Sequence, residues 1–198
     1  MKIGIIGAGN IGGAIATALA HKGIGAILAN RSGPASLAAF TEKLGGRVAA
    51  GSVEEAAAQD IVFVAVPWSK IPGALEGLDL SGKIVVDTNN SIEAPLFRAV
   101  DLGGRSSSEV FADLVPGARV VKAFNHLQPQ LLVADPAAEG GRRVLFFSGD
   151  DAQAKSSVGA IIEQLGFFGI DLGTLAVGSR LVQFPGGPLP THNLVKFG

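Results

Sequence analysis

The stretch KIGIIGAGNIGGAIATALAHKG, Lys2 to Gly23, sets a run of β-formers before three spaced glycines and a helix-periodic segment. Lys2–Ile6 reads as a buried strand, and Ile11, Ala14, Ile15, Ala18 and Leu19 recur at the spacing of one helix face. Between them Gly7, Gly9 and Gly12 form G-x-G-x-x-G. In a strand-turn-helix setting each glycine has its own use. Gly7 suits the sharp turn, Gly9 lets an anionic group approach the main chain, and Gly12 lets helix and strand pack closely. The helix start adds unpaired N–H groups and a partial positive charge. A dinucleotide pyrophosphate suits this arrangement; a purely structural turn is the other reading.

With 198 residues, 47% of them apolar, the chain can bury the core of one domain and carry a tail, but not a second full domain. A formal net charge of −1 without basic runs gives no reason to expect nucleic acid or an anionic membrane surface, so a small-molecule partner is expected. Cysteine is absent, which excludes disulfides and thiolate chemistry. The glycine-cut start does not read as a signal peptide, and no apolar run reaches the roughly 20 residues of a membrane helix, so a cytoplasmic location is expected. The sequence has no H-E-x-x-H, no G-x-S-x-G elbow, no P-loop and no carboxylate cluster with metal spacing. No metal is expected, and the chemistry is expected to come from a bound cofactor.

Strand-like segments recur at Ala26–Asn30, Arg47–Ala50, Ile61–Val66, Lys83–Asp87, Arg119–Ala123, Arg142–Ser148 and Phe167–Asp171. Helix-like segments separate most of them, at Pro34–Leu44, Val53–Gln59, Ser69–Leu78, Ser106–Leu114 and Asp151–Leu165. Ile61–Val66 is apolar throughout, as a strand covered on both faces should be. The alternation predicts a Rossmann-type, doubly wound α/β fold: a mainly parallel sheet of about eight strands, helices on both faces, ligand at the carboxyl ends. Residues 1–175 would form the dinucleotide-binding domain. Residues 176–198, with three prolines, read as an irregular tail that covers the domain or a partner subunit, or enters the pocket.

About 20 residues after the glycines, NAD-binding chains carry an acid for the ribose hydroxyls. This chain reads Asn30-Arg31-Ser32 instead. No carboxylate repels a phosphate there, and a guanidinium and a hydroxyl can bind one, so NADP is the expected cofactor. Val66-Pro67-Trp68 leaves the fourth strand where the nicotinamide half would lie; Trp68 either walls the pocket or simply packs at a helix start. Asp87-Thr88-Asn89-Asn90-Ser91 offers groups for a carboxamide or ribose, or is an Asn-rich turn. Lys122-Ala123-Phe124-Asn125-His126 brings the one imidazole expected near the strand ends, either a satisfied histidine or a pocket residue with an orienting role.

The glycine motif, NRS, VAVPW, VVDTNNS, VVKAFN, and GDDAQAK followed by GFFGIDLG together resemble the NADP oxidoreductases dependent on coenzyme F420. The oxidoreductase domain of the STEAP metalloreductases is similar. The resemblance spans nearly the whole chain. It implies a Rossmann domain, usually a homodimer, that binds NADP and passes hydride to or from a deazaflavin (coenzyme F420) or a flavin such as FMN or FAD. It also implies that Gly7, Gly9, Asn10 and Ile11 meet the pyrophosphate, Arg31 and Ser32 the 2′-phosphate, and Val66, Pro67, Asn90 and Ala123 the nicotinamide side. Asn89-Asn90-Ser91 stands where the family commonly has Thr-Asn-Pro, and the proline-bearing tail also departs from it. Two other readings stay open: reduction of a small carbonyl, imine or quinone, and a noncatalytic NADPH-binding sensor.

Overall fold

The computed structural model describes residues 1–93 and 98–198. In chain order its elements are β1 (Ile3–Ile6), α1 (Asn10–His21), β2 (Ala26–Ala29), α2 (Ala38–Lys43), β3 (Val48–Ala50), α3 (Val53–Ala57) and β4 (Ile61–Val64). There follow α4 (Ile71–Leu75), β5 (Ile84–Asp87), β6 (Ile92–Glu93), β7 (Arg98–Ala99), α5 (Ser107–Asp113), β8 (Arg119–Ala123) and α6 (Pro129–Val133). The last are β9 (Ala137–Ala138), β10 (Gly141–Gly149), α7 (Ala152–Gln164), β11 (Phe168–Asp171), α8 (Leu175–Val182) and β12 (Val195–Phe197).

Eight strands form the main sheet, in the order β11-β10-β8-β5-β4-β1-β2-β3. The six from β3 to β8 are parallel. The order reverses between β1 and β4, whose ends are in register with Ile6 opposite Val64. That reversal opens a crevice beyond the carboxyl ends of the strands, where open α/β sheets bind ligands. Alternate β4 residues face opposite layers: Ile61 and Phe63 join one apolar cluster with Ile15 and Leu19, while Val62 and Val64 join another with Ile71 and Phe111. Burial on both faces accounts for the unbroken apolar sequence of this strand.

Sharp starts follow from capping. Ser52 and Glu55 close a capping box on α3, Ser106 and Glu109 on α5, and Asp151 accepts from the Ala154 N–H at the start of α7. The helix expected over Pro34–Leu44 begins as a 3-10 turn at Pro34–Leu37, and the one expected over Ser69–Leu78 is a 3-10 turn followed only by α4. Pro72 lies in the first turn of α4 and has no N–H to bond the preceding turn, so the α-helix does not extend back through the 3-10 residues.

Two features depart from the β-α-β succession. β10 runs antiparallel to β8, with Phe147 opposite Ala123, and β11 follows it in parallel. An antiparallel neighbour needs no long crossover helix, and the connection carries only the five-residue α6 and the two-residue β9. The final segment is not irregular throughout, as the sequence suggested: Leu175–Val182 is helical and Val195–Phe197 pairs with β10. Leu175, Gly178, Ser179 and Val182 form the buried face of α8, at helical spacing but with small residues at its centre. A Cβ on Gly178 would fall 2.4 Å from the Ser148 Cβ, so close packing on β10 requires that small face. Among the described residues no helix is long and apolar enough to cross a membrane.

Candidate functional site

The glycine loop joins β1 to α1 at the sheet's reversal. Gly7 has φ +108°, and a Cβ there would lie 2.2 Å from the Ala65 carbonyl oxygen. Gly12 is buried, and a Cβ would lie 1.8 Å from the Gly7 carbonyl oxygen. Gly9 differs. Its φ of −75° and ψ of −164° suit any residue, and a Cβ would meet nothing within 4 Å. Neither backbone nor packing therefore requires glycine at position 9. What its missing side chain leaves clear is the space before the N-terminus of α1, where no side chain caps the first turn. Open space beside unpaired N–H groups fits an anionic group such as a pyrophosphate.

That space continues into a cleft of about 760 Å³ lined by Gly7, Gly9, Asn30, Arg31, Val66 and Pro67, among others. Asn30 is committed to its own loop: its Oδ1 accepts from the Ser32 N–H at 2.9 Å, and its Nδ2 lies 3.0 Å from the Ser36 hydroxyl. Such an Asx turn leaves Arg31 exposed at the cleft edge and Ser32 exposed beside it, outside the cleft lining. Arg31 has no hydrogen bond or ion pair within the described residues. Val53, Ala74 and Leu78 give the cleft an apolar wall, as a heteroaromatic base requires. Asn10 lines a second groove on the other side of the loop, and Ile11 packs against the core. Trp68 lies outside the cleft lining and packs on the cluster of Val62, Ile71 and Leu75. Its reading as a packed tryptophan at a helix start is the one the geometry favours.

A polar cluster closes the carboxyl ends of β5 and β8. Thr88 Oγ1 and Asn89 Nδ2 both donate to the Val64 carbonyl, at 2.8 and 3.1 Å, fastening the β5 exit to the end of β4. Asp87 Oδ1 accepts from the Asn89 N–H at 2.9 Å, and its Oδ2 from the Ser108 hydroxyl at 2.7 Å. Lys122 Nζ donates to Asp87 Oδ2 and to the Asn89 carbonyl. Burial pushes the Lys122 ammonium down from its ordinary pKa, and the Asp87 charge opposes that shift. Asn90 and Asn125 form a reciprocal pair: Asn90 Nδ2 donates to the Asn125 carbonyl and Asn125 Nδ2 to Asn90 Oδ1, each at 2.9 Å. Asn90 is half-buried and Ala123 and Asn125 are buried, and none of the three is among the residues that line the cleft.

His126 is 3% exposed and 5.0 Å from the Phe146 ring centroid; neither ring nitrogen makes a well-formed hydrogen bond, although the Val144 main chain is near enough to favour its protonated form weakly. Burial lowers its pKa from 6.5 to about 4, so it is neutral near pH 7. Phe124, just before it, is buried with φ 64°, a left-handed conformation costly for a bulky residue. Two residues not singled out from the sequence organise these strand ends, Lys122 and Ser108. VVKAFN displays the lysine within an apolar strand, which is the one signal of a partnered buried charge.

A family model described as NADP oxidoreductase coenzyme F420-dependent matches residues 2–91, from β1 through the β5 exit. The structure of a hypothetical protein, SMa0349, from Sinorhizobium meliloti superposes with a TM-score of 0.93 at 46% identity, covering 99% of this chain and 96% of that one. A candidate F420-dependent NADP reductase from Arthrobacter sp. FB24 superposes with a TM-score of 0.75 at 31% identity, covering 88% and 86%. Metalloreductase STEAP3 of Rattus norvegicus is 31% identical over 193 residues, 96% of this chain but 37% of its own length. The chain thus spans little more than a third of that curated relative. With 31% identity to the Arthrobacter protein over most of both chains, and the family match over residues 2–91, the chain belongs to the NADP oxidoreductases dependent on coenzyme F420, a family of NADP-dependent oxidoreductases.

Proposed function

We propose that this chain passes hydride between NADP(H) and a stacked planar redox partner, a deazaflavin of the coenzyme F420 type or a flavin. The observation that carries the reading is the clear space at Gly9, set before α1 and continuous with the cleft that Arg31 borders. The bound dinucleotide would supply the hydride itself. The main chain at Gly9 and Asn10, with the first turn of α1, would hold the pyrophosphate. Arg31 and Ser32 would bind the 2′-phosphate, with Asn30 holding their loop in shape. Val66 and Pro67 would wall the nicotinamide side, and the Asn90–Asn125 pair would fix the neighbouring strand ends.

The state of His126 favours transfer between rings over reduction of a carbonyl or imine. His126 is buried and outside the cleft lining, and burial keeps its imidazole neutral near pH 7, so it is poorly placed to donate a proton to a bound carbonyl or imine. Its role is then to orient the β8 exit. The test is NADPH oxidation, followed at the NADPH absorbance band, with coenzyme F420, FMN, FAD, small quinones and cyclic imines. Turnover with a tricyclic ring is the expected result. Turnover confined to imines or carbonyls would overturn the reading, and tight NADPH binding without turnover on any acceptor would favour a sensor.

A further inference from the structure

We propose, on the reading that a planar acceptor meets the nicotinamide at the strand ends, that Phe184 is a specificity-determining residue: its ring is the platform on which the acceptor's tricyclic ring rests. The segment after α8 is tied to the ends of β5 and β8. The Val182 carbonyl accepts from Asn125 Nδ2 at 2.7 Å, and the Phe184 N–H donates to Asn90 Oδ1 at 3.1 Å. Further along, the Thr191 N–H donates to the His126 carbonyl at 3.0 Å. On its other flank, Gln183 Oε1 accepts from the Ser107 N–H at 3.0 Å. A segment that only covered a sheet edge would bond to edge strands. This one bonds to Asn90, Asn125 and His126, which all follow the carboxyl ends of central strands.

The segment is also braced within itself: the Gly187 N–H donates to the Gln183 carbonyl and the Leu189 N–H to the Leu181 carbonyl. Val182 and Pro190 are buried on either side, yet the Phe184 side chain is 36% exposed. A large apolar ring so placed gains nothing from folding by its exposed part. Its main chain bonds directly to the side chain of Asn90, a residue expected at the nicotinamide side. Because the main chain that carries it is anchored there, the exposed ring can offer a face for offset stacking at the entropic cost of its own side-chain rotamers alone. The shared chemistry it would select is a flat isoalloxazine or deazaisoalloxazine ring.

The experiment measures fluorescence anisotropy of FMN, and separately of coenzyme F420, with protein saturated in NADP+. Phe184→Ala should weaken binding of whichever ring the wild type holds by about 3- to 10-fold, the scale of one aromatic stack. Phe184→Tyr should restore it. NADPH affinity by calorimetry should stay within about twofold in both variants. Equal ring affinity in wild type and Phe184→Ala would overturn the assignment and leave the hydride-transfer reading standing, as would loss of NADPH binding along with ring binding. Wild-type protein that binds NADPH but neither ring would overturn both.

Discussion

Lys122 Nζ lies 3.0 Å from Asp87 Oδ2, and both side chains are fully buried at the ends of neighbouring parallel strands. Their shared site also takes in the Asn89 carbonyl and the Ser108 hydroxyl, so the pair pins the β5 exit turn to β8 and α5. Lys122→Met would strand a buried carboxylate, at a cost of about 3–5 kcal/mol. Urea unfolding measures that loss. The double variant Lys122→Met, Asp87→Asn should recover a large part of it, because the amide carries no charge to be left unpaired. Wild-type stability in the single variant would show that the pair does not hold the turn.

An added side chain should cost stability at Gly12 and cofactor binding at Gly9. Gly12→Ala drives a methyl group into the Gly7 carbonyl, so α1 must move off β1, and a fall in melting temperature of several degrees is expected. Gly9→Val enters open space and should lower the melting temperature only by the roughly 2–4 °C that valine costs at a helix N-cap. It should nonetheless abolish most NADPH binding in calorimetry. A Gly9→Val protein that keeps both its stability and its NADPH affinity would remove the pyrophosphate from this loop.

Local signals made the parallel half of the sheet legible. The step from period-two to helical spacing across Gly7–Gly12 needs only neighbours in sequence, and β4 announces its two covered faces by being wholly apolar. α8 was not legible because Gly178 and Ser179 occupy its buried face, which reads as a loop until Ser148 is known to lie opposite. Trp68 was ambiguous for the same reason: which side of a strand-to-helix turn a ring faces depends on Ile71 and Leu75, brought near by α4. Asn30 looked like a ligand group, but its bonds to Ser32 and Ser36 make it part of the loop's frame. No sequence rule links Phe184 to Asn90, 94 positions apart.

Arg31 tests the choice of cofactor. It borders the cleft, exposed, with no partner among the described residues, so its guanidinium keeps all its donors for a ligand. Charge-assisted bonds to the 2′-phosphate should favour NADPH over NADH by about 1.5–3 kcal/mol, one to two orders of magnitude in affinity. Arg31→Asp should erase the preference, since a carboxylate repels the phosphate and accepts from the ribose hydroxyls instead. Calorimetric titration of both cofactors decides it; equal wild-type affinities would refute the role of Arg31.

His126 should make the fold acid-sensitive in a defined window. Burial holds its folded pKa at about 4, below the ordinary 6.5, so between those values the unfolded chain binds a proton that the folded one does not. Stability therefore falls as pH drops from about 6.5 to 4, by up to about 3 kcal/mol for 2.5 units, and the contribution is flat above and below. Neither ring nitrogen makes a well-formed hydrogen bond, so His126→Leu should cost little at pH 7 and should flatten this part of the profile. If the histidine only orients the β8 exit, the same variant keeps kcat within about tenfold of wild type. Loss of a general acid would instead cost about 100- to 10,000-fold and remove a pH dependence of kcat. Urea unfolding of both proteins at pH 4.5, 5.5 and 7 gives the first measurement, and kcat across the same range gives the second. An unchanged slope in the variant would mean that His126 is not the group that titrates, and a collapse in kcat would restore it as a proton donor.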